Sequence, residues 1–391
     1  MSRIISKNVW LLSMVSLFTD IASEMLYPVM PVYLKHIGFS IILIGVLEGL
    51  AEATAGLSKG YFGSLSDTMG KRKPFVITGY ALSSLSRPLM AVFVYPIWIF
   101  GVRTLDRLGK GIRTGARDAL LSDEATVETK GRVFGLHRSM DTLGAAIGPV
   151  CALIYFQYYP EQYAQLFLIA FAPGLVAFGL SFLIKENVNP DREIKPKPRL
   201  LDFIRYWKTA PGTYKKLIVA LLAFALFNSS DVFLLLKVKE AGFSDGVVIS
   251  VYIFYNIVYA AAAYPLGIIA DRIGMKTVFI SGLLLFAAVY AGMGIVSAKW
   301  MFLTLFFMYG IYSAATEGIA KAWISNLVDK GHTATAIGTY TAFQSICTLI
   351  ASSLAGFIWY TAGASTLFLI VAAVTLGVVV FVWTIRPVVE K

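Results

Sequence analysis

Charge is what this chain is short of. Only 15% of its 391 residues are Asp, Glu, Lys or Arg, and 57% are hydrophobic. Mean hydropathy is +0.71. A soluble domain carries about a quarter of its residues charged, so this composition excludes an ordinary soluble fold. Cysteine is nearly absent: Cys151 and Cys347, both in hydrophobic stretches, are the only two. That excludes a disulfide framework and a cysteine metal site. The chain has no P-loop, no H-E-x-x-H and no G-x-S-x-G, and almost no length left over for a soluble signalling domain. These absences argue against a polytopic enzyme or sensor and leave no cofactor or bound metal expected. A cleavable signal peptide is also missing. The first apolar segment is too long, is interrupted by Asp20 and Glu24, and lacks a small-residue cleavage site, so it is expected to stay as a first span.

What is abundant is apolar sequence in runs of about 20 residues, each long enough to cross a hydrocarbon core of roughly 30 Å. Twelve helices are predicted, near 9–34, 41–64, 74–94, 96–121, 132–156, 163–185, 217–237, 246–270, 275–297, 300–326, 334–358 and 363–386. The fold class expected is an all-α membrane protein. The net charge of +11 would suggest nucleic acid in a soluble chain, but its placement answers otherwise. With an internal N-terminus, the cytoplasmic side receives Arg3, Lys7, Lys71, Arg72, Lys73, Lys130, Arg132, Arg272, Lys276, Lys330, Arg386 and Lys391. The outer side receives only Lys35, Lys237, Lys239 and Lys299. This asymmetry predicts both termini in the cytoplasm of a cell (inner) membrane, with the lipid bilayer and not nucleic acid as partner.

One span does not look like a helix for lipid. Ile99–Leu121 carries Arg103, Asp106, Arg107, Lys110, Arg113 and Arg117. At 100° per residue these six project within an arc of roughly 120°. Charge in a bilayer is costly, so such residues face a bundle interior or a wet cavity. The stripe points to a protein that moves a charged solute through the membrane, with Arg103, Arg107 and Lys110 as candidate contacts. The sober alternative is structural ion pairing between neighbouring spans.

The sequence also repeats itself at a separation of 204 residues. Gly38-Phe39-Ser40 recurs as Gly242-Phe243-Ser244, and Gly63, Asp67 and Gly70 recur as Gly267, Asp271 and Gly274. With small gaps, Lys110-Gly111-Ile112 matches Glu317-Gly318-Ile319, and Phe134-Gly135 matches Ile337-Gly338. Two six-helix halves related this way are the plan of transporters that rock about a midplane site. The expected organisation is an N-terminal bundle over 1–185, a cytoplasmic linker over 186–216 and a C-terminal bundle over 217–391. Within the linker, Leu200–Lys208 reads either as a short amphipathic helix held at the membrane surface by Tyr206 and Trp207, or as a solvated loop.

The element Gly63–Lys73, G-x-L-x-D-x-x-G-K-R-K, resembles the cytoplasmic loop between the second and third helices of the major facilitator superfamily. Its degenerate copy at Gly267–Lys276 sits where that family repeats it. The resemblance implies a conformational latch in which Asp67 and Asp271 contact the opposite half and Arg72 pairs with Asp118 or Asp123. Arg103 is similar to the family's arginine on the fourth helix, although Arg107, Lys110 and Arg113 are additional here. On the fifth helix Gly144-x-x-x-Gly148-Pro149 resembles the family's antiporter motif, which implies export driven by proton entry. Small residues at that spacing also let two helices approach closely, and Pro149 can kink its helix.

Candidate proton-coupling groups are Asp20 and Glu24 on the first span, Glu48 and Glu52 on the second, and His137 and Asp141 on the fifth. Each pair is four residues apart and so shares a face. At the equivalent places in the second half Glu24 becomes Asn228, Glu52 becomes Asn256, His137 becomes Tyr340 and Asp141 becomes Gln344. This suggests charge selection and coupling in the first half and adaptable substrate contacts in the second, from Asn228, Asp231, Tyr252, Asn256, Glu317 and Gln344. Tyr255 and Tyr259 read equally as cavity lining or core, and Glu317 and Lys321 as a mutual i, i+4 pair. The reading is a monomeric secondary transporter with alternating access, exporting a small organic anion or zwitterion against protons. Uptake by symport, export of a divalent metal cation, and flipping of a lipid or lysolipid are the alternatives.

Overall fold

The computed structural model describes residues 5–186, 202–229, 231–243, 245–296 and 299–385. Among them every regular element is helical. In chain order these are α1 (Lys7–Glu24), α2 (Met30–His36), α3 (Ile41–Met69), α4 (Lys73–Met90), α5 (Pro96–Asp123), α6 (Lys130–Tyr158), α7 (Tyr163–Ser181), α8 (Asp202–Thr209), α9 (Gly212–Ala225), α10 (Val232–Glu240), α11 (Asp245–Ile273), α12 (Met275–Ile295), α13 (Lys299–Asn326), α14 (Thr333–Ala362) and α15 (Ala364–Trp383). Helix is what lipid demands, because each backbone polar group then finds its partner within its own segment. Local sequence sets the ends. The side chain of Ser6 accepts from Val9 N and that of Ser40 from Leu43 N, each at 3.2 Å. Proline opens α4 and α5, where a missing N–H costs nothing. At the far end of α3, Gly70 takes φ +64°, which an L side chain resists.

The fold is the twelve-span architecture expected, with one correction to its elements. The first and seventh spans are each broken. The predicted helix over 9–34 is α1 followed by α2, and that over 217–237 is α9 followed by α10. Pro28 lies in the first break. The second contains Asn228, Ser229 and Asp231, whose short polar side chains compete for backbone groups. Both interruptions fall at the same place in the 204-residue repeat. Broken helices are tolerated at membrane depth where they line a cavity. Among the described residues six helices qualify as spans on length and apolarity alone: α6, α7, α11, α12, α14 and α15. By contrast α5 is too charged to qualify.

The chain groups into two compact units. One comprises Met1–Ala125, Met140–Lys208 and Asp329–Ala342; the other comprises Thr126–Ser139, Thr209–Val328 and Phe343–Lys391. Each therefore contains the opening turns of a helix from the other half of the chain: those of α14 in the first, those of α6 in the second. Glycine makes these contacts possible. A Cβ at Gly63 would stand 2.5 Å from Ala334 O, and one at Gly135 would stand 2.6 Å from Ala263 O. In the linker, α8 settles the choice between helix and loop, and Tyr206 stacks on His332 with centroids 5.8 Å apart. Residues 187–201 lie outside the described residues.

Candidate transport site

Charge converges in the first unit. Asp20, Ser23 and Glu24 of α1, Ser86 and Arg87 of α4, and Arg103, Asp106, Arg107, Lys110 and Arg113 of α5 line one partly open cavity. Its enclosed part offers about 50 Å³ to the centre of a water molecule. One water needs roughly 10–15 Å³ on that measure, so a few waters or one small organic ion fill it. Most of the stripe on α5 faces this space, and the spacing of its charges is the reason. The wall is braced throughout. Arg113 Nη1 donates to Ser83 Oγ at 2.6 Å, and its guanidinium lies 4.6 Å above the Tyr80 ring. Ser83 Oγ donates to Asp106 O at 3.2 Å, Arg103 pairs with Asp106 at 3.8 Å, and Arg87 Nη2 donates to Thr19 O at 3.3 Å. Arg117, the last charge of the stripe, is excluded from the cavity lining. Its Nε and Nη2 both hold Asp118 Oδ1, at 3.0 and 2.9 Å.

Beside the cavity, α1 and α6 meet. Ser16 Oγ donates to Asp141 Oδ1 at 2.6 Å, and Asp20 lies one turn along α1 from Ser16, on the same face. The helix 5 motif explains their approach. A Cβ at Gly144 would stand 2.5 Å from Leu17 O, and one at Gly148 would stand 2.6 Å from Met25 N. Gly144 sits one turn beyond Asp141, against the turn of α1 that carries Asp20. Glu24 reaches the cavity, whereas the side chains of Glu48 and Glu52 lie outside the described residues. His137 is buried and belongs to the second unit.

The second unit holds a separate polar cluster. Tyr309 OH donates to Asp231 Oδ1 at 2.6 Å, Asn228 Nδ2 donates to Tyr312 OH at 3.2 Å, and Tyr255 OH lies 3.2 Å from Ser313 Oγ. Asn256 Nδ2 is turned back to Tyr252 O at 3.0 Å, and Gln344 is half-buried on α14. Glu317 pairs with Arg138, whose Nε also donates to Tyr259 OH. Tyr309, Tyr312 and Ser313 escaped the sequence reading. Their spacing of three and four residues along α13 was the available signal.

The turns that repeat between the halves hold two further clusters. In the first unit, Asp67 accepts from Thr335 N at 2.7 Å and Thr335 Oγ1 at 2.8 Å, and pairs with Arg72 at 3.3 Å. Arg72 also reaches Asp123 at 2.9 Å and Lys330 O at 2.7 Å. Of the two partners open to Arg72, Asp123 is the one observed. In the second unit, Asp271 accepts from Gly131 N at 2.7 Å and from Arg132 N at 3.0 Å. Gly274 takes φ +95°, positive as at Gly70 though with a different ψ. Among the described residues no three His, Cys, Asp or Glu side chains gather as a metal-ligand set.

Twelve helical spans, two of them interrupted, with a cation-lined recess within them, define a membrane transporter. The chain belongs to the Major Facilitator Superfamily, which matches residues 12–255 and 217–391. An uncharacterized MFS-type transporter of Methanocaldococcus jannaschii is 33% identical over 365 residues, covering 91% of this chain and 89% of that protein. In three dimensions the chain is similar to the human organic anion transporter MFSD10, with TM-score 0.80 at 14% identity, covering 97% of this chain and 100% of that one. It is equally similar to the Escherichia coli fucose:proton symporter FucP, with TM-score 0.79 at 14% identity, covering 97% and 98%. At that identity the two structures speak for the fold alone.

Proposed function

We propose that this protein is a proton-coupled secondary transporter of small organic anions. In this reading the cavity between α1, α4 and α5 is the anion site, with Arg103, Arg107 and Lys110 as the contacts. The Asp20–Asp141 pair is the proton site. One observation carries the proposal: Asp20, on the turn of α1 against which the helix of Asp141 packs, lines a cavity together with five basic side chains. A bound proton and a bound anion then both act on α1. That the fold is shared with an organic anion transporter and a proton symporter is consistent with this reading.

Export is the direction favoured by the motif around Gly144, Gly148 and Pro149. Uptake by symport is favoured by a different observation: Lys110 and Asp20 line the same cavity. Protonating the pair frees that lysine for an anion, so proton and anion would travel together. In the second unit Asn228, Asp231, Tyr252, Asn256, Glu317 and Gln344 are assigned to adaptable substrate contacts. The Asp67–Arg72 and Asp271–Arg132 clusters are assigned to the latch, and the basic-residue asymmetry supports a cytoplasmic location for both termini.

The test is transport of radiolabelled organic anions by proteoliposomes under pH gradients of either sign. Accumulation driven by one sign and abolished in Asp141→Asn, with exchange retained, supports the proposal. Unchanged pH-driven accumulation by that variant removes the pair from the mechanism, and the effective sign of the gradient decides direction.

A further inference from the structure

Asp231 is an acid in the seventh span that no base answers. It lies in the break between α9 and α10. An aspartate directly before a helix often caps it, but the side chain of Asp231 makes no capping bond to α10. Its carboxylate accepts from Tyr309 OH at 2.6 Å, and among the described residues no Lys, Arg or His pairs with it. Arg138, the basic side chain that enters this polar cluster, is held by Glu317 and Tyr259. An acid left without a base within a span is costly and marks a pathway for ions or protons.

Its neighbours in the break show which. Asn228 Nδ2 donates to Tyr312 OH at 3.2 Å, and the rings of Tyr309 and Tyr312 stand 5.2 Å apart. The side chains of Asn228 and Asp231 therefore converge on one stretch of α13. With Nδ2 directed to Tyr312, Asn228 Oδ1 is buried and accepts no hydrogen bond. Ser229 is 4% exposed, and its Oγ is likewise without a partner. A proton on Asp231 reaches at most one of these oxygens, whereas one small cation is shared by several. The donors are all oxygen, which suits a hard ion over a transition metal. A calcium site gathers about six to eight oxygens, commonly from several carboxylates, so a single carboxylate favours a monovalent ion. Interrupted helices in secondary transporters supply further ligands for such an ion from their unwound backbone carbonyls.

We propose that the break in the seventh span binds a sodium ion, with Asp231, Asn228 Oδ1 and Ser229 Oγ as its side-chain ligands. Bound there, the ion ties α9 to α10. The site lies wholly within the second unit and stands independently of the anion cavity in the first. Asn228 and Asp231 then meet a solute through the ion rather than directly.

The experiment is thermal unfolding of the detergent-purified full-length protein, with no transported solute, in sodium chloride against choline chloride at equal ionic strength. Sodium should raise the melting temperature by several degrees, because an ion that binds only the folded state stabilises it by mass action. Two variants are chosen to keep the fold. Asp231→Asn retains an oxygen for Tyr309 OH, and Ser229→Ala loses no hydrogen bond. Calorimetric titration with sodium chloride should show affinity lowered about tenfold or more in Asp231→Asn, since losing even a supporting group of a metal site costs that much. Ser229→Ala should lower it by a smaller factor. Equal melting temperatures in sodium and choline overturn the site. A sodium effect that both variants retain in full places the ion elsewhere and overturns it as well.

Discussion

Substituting Gly148 by Ala is the sharpest test of how the site is built. The added Cβ would stand 2.6 Å from Met25 N, 2.8 Å from Ile21 O and 2.9 Å from Glu24 C. All three are backbone atoms, so no flexible side chain can yield. Restoring ordinary contact at 3.4 Å requires α1 and α6 to part by about 0.8 Å. Overpacking of this kind costs about 1–3 kcal/mol. For a unit of this size each kcal/mol moves the melting temperature by about 2–4 °C, so a fall of roughly 2–12 °C is expected. Thermal unfolding in detergent reads it. Gly179→Ala is the control: nothing lies within 4 Å of its Cβ, and alanine in a helix interior is neutral or stabilising there. The same separation pulls Asp20 away from Asp141, so Gly148→Ala should also weaken coupling to the pH gradient. If Gly148→Ala melts with the control and transports normally, the motif does not hold the carboxyl pair together.

Two further outcomes follow from the hydrogen bonds. Asp67 is 5% exposed and accepts two bonds from Thr335 besides pairing with Arg72. Asp67→Ala should therefore cost about 3–5 kcal/mol, as breaking a buried pair does. Thr335→Val, which keeps the backbone bond, should cost only about 1 kcal/mol; equal losses on thermal unfolding would contradict the assignment. Tyr309→Phe and Asp231→Ala, measured singly and together, should be coupled by about 0.5–3 kcal/mol, because each removes the same 2.6 Å bond. Strict additivity would mean that this bond contributes nothing.

Fold and general class were legible in the sequence because they depend on period and composition. Apolar runs of membrane length, the one-sided charge of Arg103–Arg117 and the 204-residue repeat needed no third dimension. The breaks in the first and seventh spans were not read, although Pro28 and the Asn228–Asp231 stretch stood there. Hydropathy averages over about 19 residues, whereas a helix breaks over four or five. Likewise, GxxxGP on the fifth span was readable as a close-packing motif, but not which helix packs on it.

What the sequence by itself determined is therefore the set of helices, the face of α5 that avoids lipid, and the repeated turns that become the Asp67 and Asp271 clusters. These follow from local hydrogen bonding, side-chain period and the cost of charge in hydrocarbon. Only the tertiary structure decided which charges meet. It gave Arg117 to Asp118 and Arg72 to Asp123, and turned Glu317 to Arg138. An ion pair or shared proton is a relation between two positions in space. The chain can bring many acids and bases within reach of one another, and the backbone contacts of a few glycines select which of those pairs form.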